Sequence, residues 1–176
     1  MKKVVVALFS ADGKFLDGQT VEDFEALAQE YFRPFEPHFE AVKVPLPDDC
    51  SEELLKKTMK LNASCLLCIN PSARRSGLRM VGKVRNTADE FSMPLDLATW
   101  NIETFERRCV EEGIAIDNEE DLEESPFDSF ASQVKATSQR TGIYNCTPWA
   151  CMEIPTFMPP ADACRGIGIL MRTIYL

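Results

Sequence analysis

The sequence is poor in the residues on which most enzyme chemistry depends. It contains a single histidine, His38, in 176 residues. It has no glycine-rich phosphate loop, no His/Cys metal cluster and no Gly-x-Ser-x-Gly elbow. We therefore expect no cofactor and no metal. Little remains that could carry out chemistry, apart from cysteine, arginine and carboxylate side chains.

Positive charge and long apolar runs are also scarce. The net charge of −9 opposes binding to a nucleic-acid backbone, so we expect no nucleic-acid partner. No apolar run approaches the roughly 20 residues that span a bilayer, so we expect no membrane partner. The apolar start runs into Ser10-Ala11-Asp12-Gly13 and predicts a strand and a turn rather than a signal peptide. An odd number of cysteines, seven, indicates reduced thiols and a cytoplasmic location.

The first half of the chain alternates between strand and helix patterns. Thr20 and Asp23 predict a capping box for a helix that Pro34 ends. The other elements predicted in this half are a helix over Ser51–Lys60 and strands over Val4–Leu8, Phe39–Leu46, Cys65–Ile69 and Leu78–Val84. This order predicts an α/β fold, a three-layer arrangement of a mostly parallel sheet with helices on both faces. A ligand crevice is then expected at the carboxyl ends of the strands.

The second half is less regular, and we expect residues 1–176 to form a single domain. The predicted elements are helices over Ile102–Glu112 and Phe127–Thr137, a proline-rich loop over Ile154–Pro160 and a final strand over Gly166–Tyr175. The acidic segment 117–124 is predicted to be mobile and exposed. A terminal strand without a covering helix would expose Ile167, Ile169, Ile174 and Leu176, which predicts a homodimer.

The most informative motif is Ser138–Cys146, which ends in a Gly-x-Tyr-x-Cys run. Cys146 is either a nucleophile or a buried apolar residue, as most free cysteines are. The basic residues Arg74, Arg75 and Arg79 are likewise either a solvated rim or a site that holds an anionic group.

In this motif the chain resembles pyroglutamyl peptidase type I, a family of cytosolic cysteine peptidases that remove an N-terminal pyroglutamate. Ser138, Gly142, Tyr144 and Cys146 fall on the family's Ser-Asn-x-Ala-Gly-x-Tyr/Phe-x-Cys-Asn signature, whereas Gln139, Thr141 and Thr147 depart from it. Upstream, Val42–Leu46 and Cys65–Arg75 look like two strands of the family and a following loop. The resemblance implies that Cys146 is the catalytic nucleophile. It also implies substrate-binding roles for Phe9, Asn70, Arg74, Arg75 and Tyr144.

Two residues that the family uses have no match here. Gly82 stands where the family has the Glu of a Val-Glu-Arg-Val sequence, and Gly168–Met171 matches the Gly-Phe-Ile-His-like strand that carries its His. His38 is expected at the amino edge of the sheet, opposite the crevice. A thiol with a pKa of about 8.5 is mostly protonated at neutral pH, and a leaving amine needs a proton donor. The normal mechanism of the family therefore lacks its acid and base.

The sequence supports three hypotheses. The first is a divergent pyroglutamyl-peptidase-like thiol hydrolase that acts on the N-terminus of peptides, with its catalytic competence left open by the missing residues. The second is a non-catalytic module on the same scaffold that binds a small peptide or a small anionic ligand. The third is an interaction protein whose acidic segment docks a basic partner.

Overall fold

A five-stranded sheet forms the centre of the computed structural model, which describes residues 2–81, 83–86, 91–94, 100–119, 125–142 and 147–175. The strand order is β2-β1-β3-β7-β4. Only β4 runs antiparallel to its neighbour. The five strands are β1 Val4–Ser10, β2 Pro37–Lys43, β3 Cys65–Ser72, β4 Arg79–Met80 and β7 Trp149–Pro155. A separate antiparallel ribbon consists of β5 Lys83–Asn86 and β6 Phe91–Pro94.

Helices cover both faces of this sheet. One face carries α1 Val21–Phe32, α3 Ile102–Glu111 and α5 Pro160–Tyr175, and the other carries α2 Cys50–Lys60 and α4 Pro126–Thr141. Side chains alternate between the two cores along β1, as the period of a strand requires. Val6 and Leu8 belong to the core beneath α1, α3 and α5, and Ala7 and Phe9 belong to the core beneath α2 and α4. The predicted three-layer α/β fold is confirmed.

The first half folds largely as its local sequence predicts. All seven residues of β1 are buried, which explains its continuous apolar run. The Thr20 hydroxyl accepts from the backbone N–H of Asp23 at 3.1 Å, and the Asp23 carboxylate accepts from the N–H of Thr20 at 3.1 Å. These bonds satisfy two otherwise unpaired donors at the start of α1. The predicted strand over Leu78–Val84 is split, because only β4 joins the sheet and β5 belongs to the ribbon.

Pro160–Tyr175 form the helix α5, so the strand predicted over Gly166–Tyr175 is wrong. Ile167 is fully buried and Ile169 is 1 % exposed within the protein itself. A helix that is apolar on nearly every side gives the same continuous apolar run as a buried strand. The glycine at position 166 reflects packing, because a Cβ there would lie 2.2 Å from Leu78 Cδ1. The predicted homodimer depended on an exposed terminal strand, and the structure has a helix in its place. The homodimer stays a prediction, which light scattering can test.

The sequence interpretation also missed β7. Ile154 and Pro155, predicted as loop, are the last residues of this central strand, and Pro160 begins α5, so only 156–159 connect them. A proline is tolerated at the end of a strand because little of the ladder remains to be completed there. In the acidic segment, only positions 117–119 lie within the described residues.

Candidate functional site at the carboxyl end of the sheet

Three loops meet where the parallel strands end, and hydrogen bonds tie them together. The backbone N–H of Asp17, after β1, donates to Thr156 O, after β7, at 2.8 Å. The N–H of Thr156 in turn donates to Ser72 O, at the end of β3, at 3.3 Å. The Ser10 hydroxyl closes the first loop by donating to Lys14 O at 2.6 Å. This end of the sheet is therefore a framework with fixed loops, as the fold class leads one to expect of a ligand crevice.

A row of polar residues crosses three neighbouring strands at this end. Asn70 on β3 is the register partner of Glu153 on β7, and Glu153 is the partner of Arg79 on β4. Register partners on adjacent strands project from the same face of a sheet. Cys68 and Cys151, two residues earlier on β3 and β7, belong to the core beneath α2 and α4. The row therefore lies on that face.

Arg75 completes this row with a buried ion pair. Its Nε donates to Glu153 Oε2 at 2.6 Å, and the side chains of Arg75 and Glu153 are 0 % and 2 % exposed. Its Nη1 lies 3.8 Å from Asp117 Oδ2. Two carboxylates thus face one buried guanidinium. These carboxylates hold the Arg75 side chain inside the protein.

Asp117 is fixed by backbone donors as well as by Arg75. The N–H of Ser76 donates to Asp117 Oδ2 at 3.0 Å, and the N–H of Glu119 donates to Oδ1 at 2.7 Å. Burial by itself would raise the pKa of Asp117, but these donors and the Arg75 charge outweigh it and lower the pKa. Asp117 is therefore ionised at neutral pH and anchors the chain beside β4.

Two of the other predicted binding residues differ in how far solvent reaches them. Arg74 is exposed, and its backbone N–H is 3.3 Å from Ser72 Oγ. Asn70 is half-buried. Both lie at the carboxyl end of β3 or just after it, where the resemblance expects the substrate.

Phe9 is covered by α4. Its ring centroid lies 5.2 Å from that of Phe127 and 5.9 Å from that of Phe130, and Phe9 is 0 % exposed. The ring therefore packs between sheet and helix as core, and a ligand could reach it only if α4 moved.

Cys146 and Tyr144 lie outside the described residues, as does Gly82. The described residues that follow Cys146 are informative nevertheless. Pro148 O accepts from the N–H of Leu66 at 2.9 Å, at the amino end of β3, and β7 begins at Trp149. The seven residues of β7 span about 20 Å, so this flank and the polar row lie toward opposite ends of the sheet.

His38 lies at the amino edge, as predicted. It is the second residue of β2 and the register partner of Val5, near the start of β1. It is half-buried. The only imidazole of the sequence is thus at the opposite end of the parallel strands from Asn70 and Glu153.

The described cysteines are all buried, and burial raises the pKa of four of them. Burial raises the pKa of Cys109 and of Cys164 to about 12. Burial also raises the pKa of Cys50 to about 11, helped by the neighbouring Cys68 and by Glu53, and raises that of Cys151 well above its usual value. Cys65 and Cys68 are core residues, at 1 % and 0 % exposure. A thiol protonated at neutral pH is a poor nucleophile.

Sequence reasoning missed Glu153 and Asp117 as members of this site. Glu153 carries a signal in retrospect, because a single carboxylate within the apolar run of Ala150–Ile154 requires a partner once it is buried. Asp117 carries none, since it belongs to a long acidic stretch that is typical of solvated surface.

The described residues hold no group of three or more His, Cys, Asp or Glu side chains arranged to bind a metal ion. Among the helices in these parts of the protein, none has both the length and the apolar character to cross a membrane.

Several solved structures are similar in fold to this protein. Pyroglutamyl peptidase I from Bacillus amyloliquefaciens superposes with a TM-score of 0.69 at 12% sequence identity, covering 97% of this chain and 95% of that one. The pyrrolidone carboxyl peptidase from Thermococcus litoralis gives a TM-score of 0.63 at 11% identity, covering 98% and 93%. A mutant of the Pyrococcus furiosus enzyme gives 0.64 at 11% identity, covering 99% and 98%.

No family model and no curated protein matches the sequence. The protein is therefore similar to pyroglutamyl peptidase structures in its fold over nearly its whole length. At this level of identity the likeness extends to the fold alone.

Proposed function

We propose that this protein is a non-catalytic binding module on a pyroglutamyl-peptidase-like scaffold, which holds a small anionic ligand or a short peptide at the carboxyl end of the sheet. The observation that carries the proposal is the buried Arg75–Glu153 ion pair. The stretch that matches the family's histidine strand in sequence order, Gly168–Met171, is helical. The described sheet strand that follows position 146 is β7, and Glu153 is the buried carboxylate that it carries.

A carboxylate held by a guanidinium cannot take over the role of an imidazole in amide cleavage. Glu153 Oε2 already accepts a hydrogen bond from Arg75 Nε at 2.6 Å, and both side chains are buried, so this carboxylate is not presented to a leaving amine. This engagement of Glu153 by Arg75 supports binding without turnover.

The polar groups at the carboxyl end suit a small anion. Arg74 is exposed, and it lies four residues after the half-buried Asn70 at the carboxyl end of β3. A guanidinium binds carboxylate or phosphate oxygens in a bidentate way, and an amide can donate a further hydrogen bond. Arg75 and Glu153 would then support the loop that carries Arg74 without touching the ligand.

The test combines a thermal-shift screen with a turnover assay. Pyroglutamate, short peptides with a free carboxylate, and inorganic phosphate are added to the wild type and to Arg74→Ala, with Arg33→Ala, an exposed arginine beyond α1, as the matched control. We expect a concentration-dependent rise in Tm for the wild type and Arg33→Ala that is lost in Arg74→Ala. Equal responses in all three proteins, or none in any, would contradict the proposal.

The thiol hydrolase is the second candidate, and the fold likeness to pyroglutamyl peptidases over 97% of this chain is what favours it. It predicts release of a fluorophore from a pyroglutamyl reporter, abolished in Cys146→Ser. It also predicts that Cys146 is alkylated by iodoacetamide faster than Cys65, Cys68 and Cys109, as peptide-resolved mass spectrometry can measure. Turnover that depends on Cys146 would replace the binding module with this enzyme.

A further inference from the structure

A slot opens between the outermost strand of the sheet, β2, and the helix α2 that packs beside it. Its volume is about 340 Å3. This lies in the range of small-molecule pockets, about 300–1,000 Å3. The lining residues come from positions 40–43 of β2, from Pro47, and from one face of α2 formed by Cys50, Glu53, Leu54 and Lys57. The slot lies at the edge of the sheet, and β1 separates β2 from the inner strands β3 and β7, which carry Asn70 and Glu153.

The outer edge of β2 presents backbone groups beside this slot. The N–H of Val44 donates to Ser10 O of the β1 segment at 2.9 Å. Backbone groups alternate in direction along a strand, so the even-numbered residues of β2 face β1 and the odd-numbered ones face outward. The outward N–H groups therefore belong to Phe39, Ala41 and Lys43, because β2 is the first strand in the sheet order.

Two prolines limit the length of the β2 edge over which outward N–H groups are available. Pro37 is also odd-numbered, so the N–H that it lacks falls on the outer side, where the ladder to β1 is not affected. Pro45 lacks an N–H two residues beyond Lys43. The donors thus suffice for a peptide of about five residues, because a paired strand uses the backbone groups of every second residue.

The chemistry of the slot is apolar inside and charged at the rim. Val42, Cys50 and Leu54 form the inner surface and are 3 %, 8 % and 2 % exposed. With its pKa raised to about 11, the Cys50 thiol is neutral at neutral pH. Glu40 and Lys57 pair with each other across the slot. Lys43 and Glu53 are exposed, and they supply one charge of each sign to a ligand.

We propose that the β2 edge is a second binding site, which takes a short extended peptide by strand addition. The peptide pairs its backbone with Phe39, Ala41 and Lys43 and inserts one apolar side chain into the slot over Val42 and Leu54. A carboxylate and an ammonium group two residues to either side of that apolar side chain meet Lys43 and Glu53. Backbone hydrogen bonds contribute affinity in such a mode, and the slot selects the side chain.

Two fluorescein-labelled peptides serve as probes, Lys-Thr-Leu-Thr-Glu and Glu-Thr-Leu-Thr-Lys, one for each direction of the added strand. Each peptide is titrated with protein up to about 1 mM, and fluorescence anisotropy should show saturable binding. We expect one of the two peptide sequences to bind more tightly than the other. Ala41→Pro removes an outward N–H on an exposed edge and should weaken binding about tenfold or more. Ala41→Val keeps the donor and should bind like the wild type. Circular dichroism melts show whether each variant keeps the fold.

Alkylation of Cys50 locates the bound peptide independently of these variants. The bound probe should slow the reaction of Cys50 with N-ethylmaleimide and leave that of Cys109, on the opposite face of the sheet, unchanged. The proposal is overturned if neither peptide saturates, if Ala41→Pro binds as the wild type does, or if Cys50 is not protected. A wild-type dimer that Ala41→Pro converts to a monomer would also overturn it, because the edge would then belong to a second copy of the protein.

Discussion

The two ends of the parallel sheet differ in how they hold charge. At the carboxyl end, Arg75, Glu153 and Asp117 are buried together and linked by ion pairs. At the amino end, Lys2 and Lys3 are exposed and His38 is half-buried. Buried ions are costly unless they are paired, whereas exposed ions are stabilised by water. The stability of the carboxyl end therefore depends on the presence of all three buried charged side chains. The stability of the amino end does not depend on such a cluster.

The largest effect is expected from removing Glu153. Glu153→Ala removes the carboxylate that accepts a 2.6 Å hydrogen bond from the buried Arg75 guanidinium, which should lower the free energy of unfolding by about 3–5 kcal/mol in urea denaturation. The double variant Arg75→Met/Glu153→Leu removes both charges and should lie closer to the wild type than the single variant. Wild-type stability of Glu153→Ala would mean that the ion pair is not the organising element of this end.

The next largest effect is expected at Gly77. A Cβ there would lie 2.6 Å from both the carbonyl carbon and the carbonyl oxygen of Ala115, so Gly77→Ala must push apart the segments that hold Asp117 next to Arg75. We expect a loss of about 2–3 kcal/mol in the same urea assay. Gly113→Ala is the control, because its φ of +75° carries strain while no neighbour lies within 4 Å. Its cost should be smaller, at about 1 kcal/mol. Equal costs would show that the close approach at Gly77 is relaxed without consequence.

The next prediction concerns the stability of the wild type and of an Asp117 variant as a function of pH. Since the folded-state pKa of Asp117 is lowered, its ionised form adds stability above the unfolded-state pKa, which is about 3.9, and this contribution is lost as the pH falls through the lower folded value. Asp117→Asn should cost about 1–2 kcal/mol at neutral pH. The difference from the wild type should shrink below about pH 4. A difference that does not change with pH would indicate that packing of Asp117, and not its charge, is responsible.

The smallest effect is expected at an ion pair on the surface. Hydrogen bonds from Lys56 and Arg140 lower the pKa of Glu52 to about 2, but the side chains of Lys56 and Arg140 are 62 % and 64 % exposed. Water screens such pairs, so Glu52→Gln should leave the urea midpoint within experimental scatter. A shift as large as that of Glu153→Ala would remove the distinction between buried and exposed charge drawn above.

The local sequence predicted the first half well, because each element there carries its own signal. The run at β1 has the apolar length of a doubly buried strand, and Thr20 with Asp23 forms the capping box that the pattern indicates. The carboxyl-end position of Asn70 and Arg74 follows from the order of strands and helices alone. Their role in binding came from the family resemblance and stays a prediction.

Prediction failed where only tertiary contacts distinguish the alternatives. Gly166 and Gly168 in an apolar run favoured a strand, yet α5 forms because its turns pack against α1, α3 and the sheet. The pairing of Arg75 with Glu153, 78 residues apart, has no local signature. Phe9 is covered by Phe127 and Phe130, which lie on a helix more than 100 positions further along the sequence.

The sequence by itself determined the fold class, since alternating apolar periods of strand and helix leave few ways to bury both faces of a sheet. It also determined that His38 precedes the second strand and so lies at the amino edge. The tertiary structure alone decided which charges are buried together and which aromatic rings are covered. Those outcomes depend on contacts between distant segments, and a local pattern carries no information about its partner until the protein has folded around both.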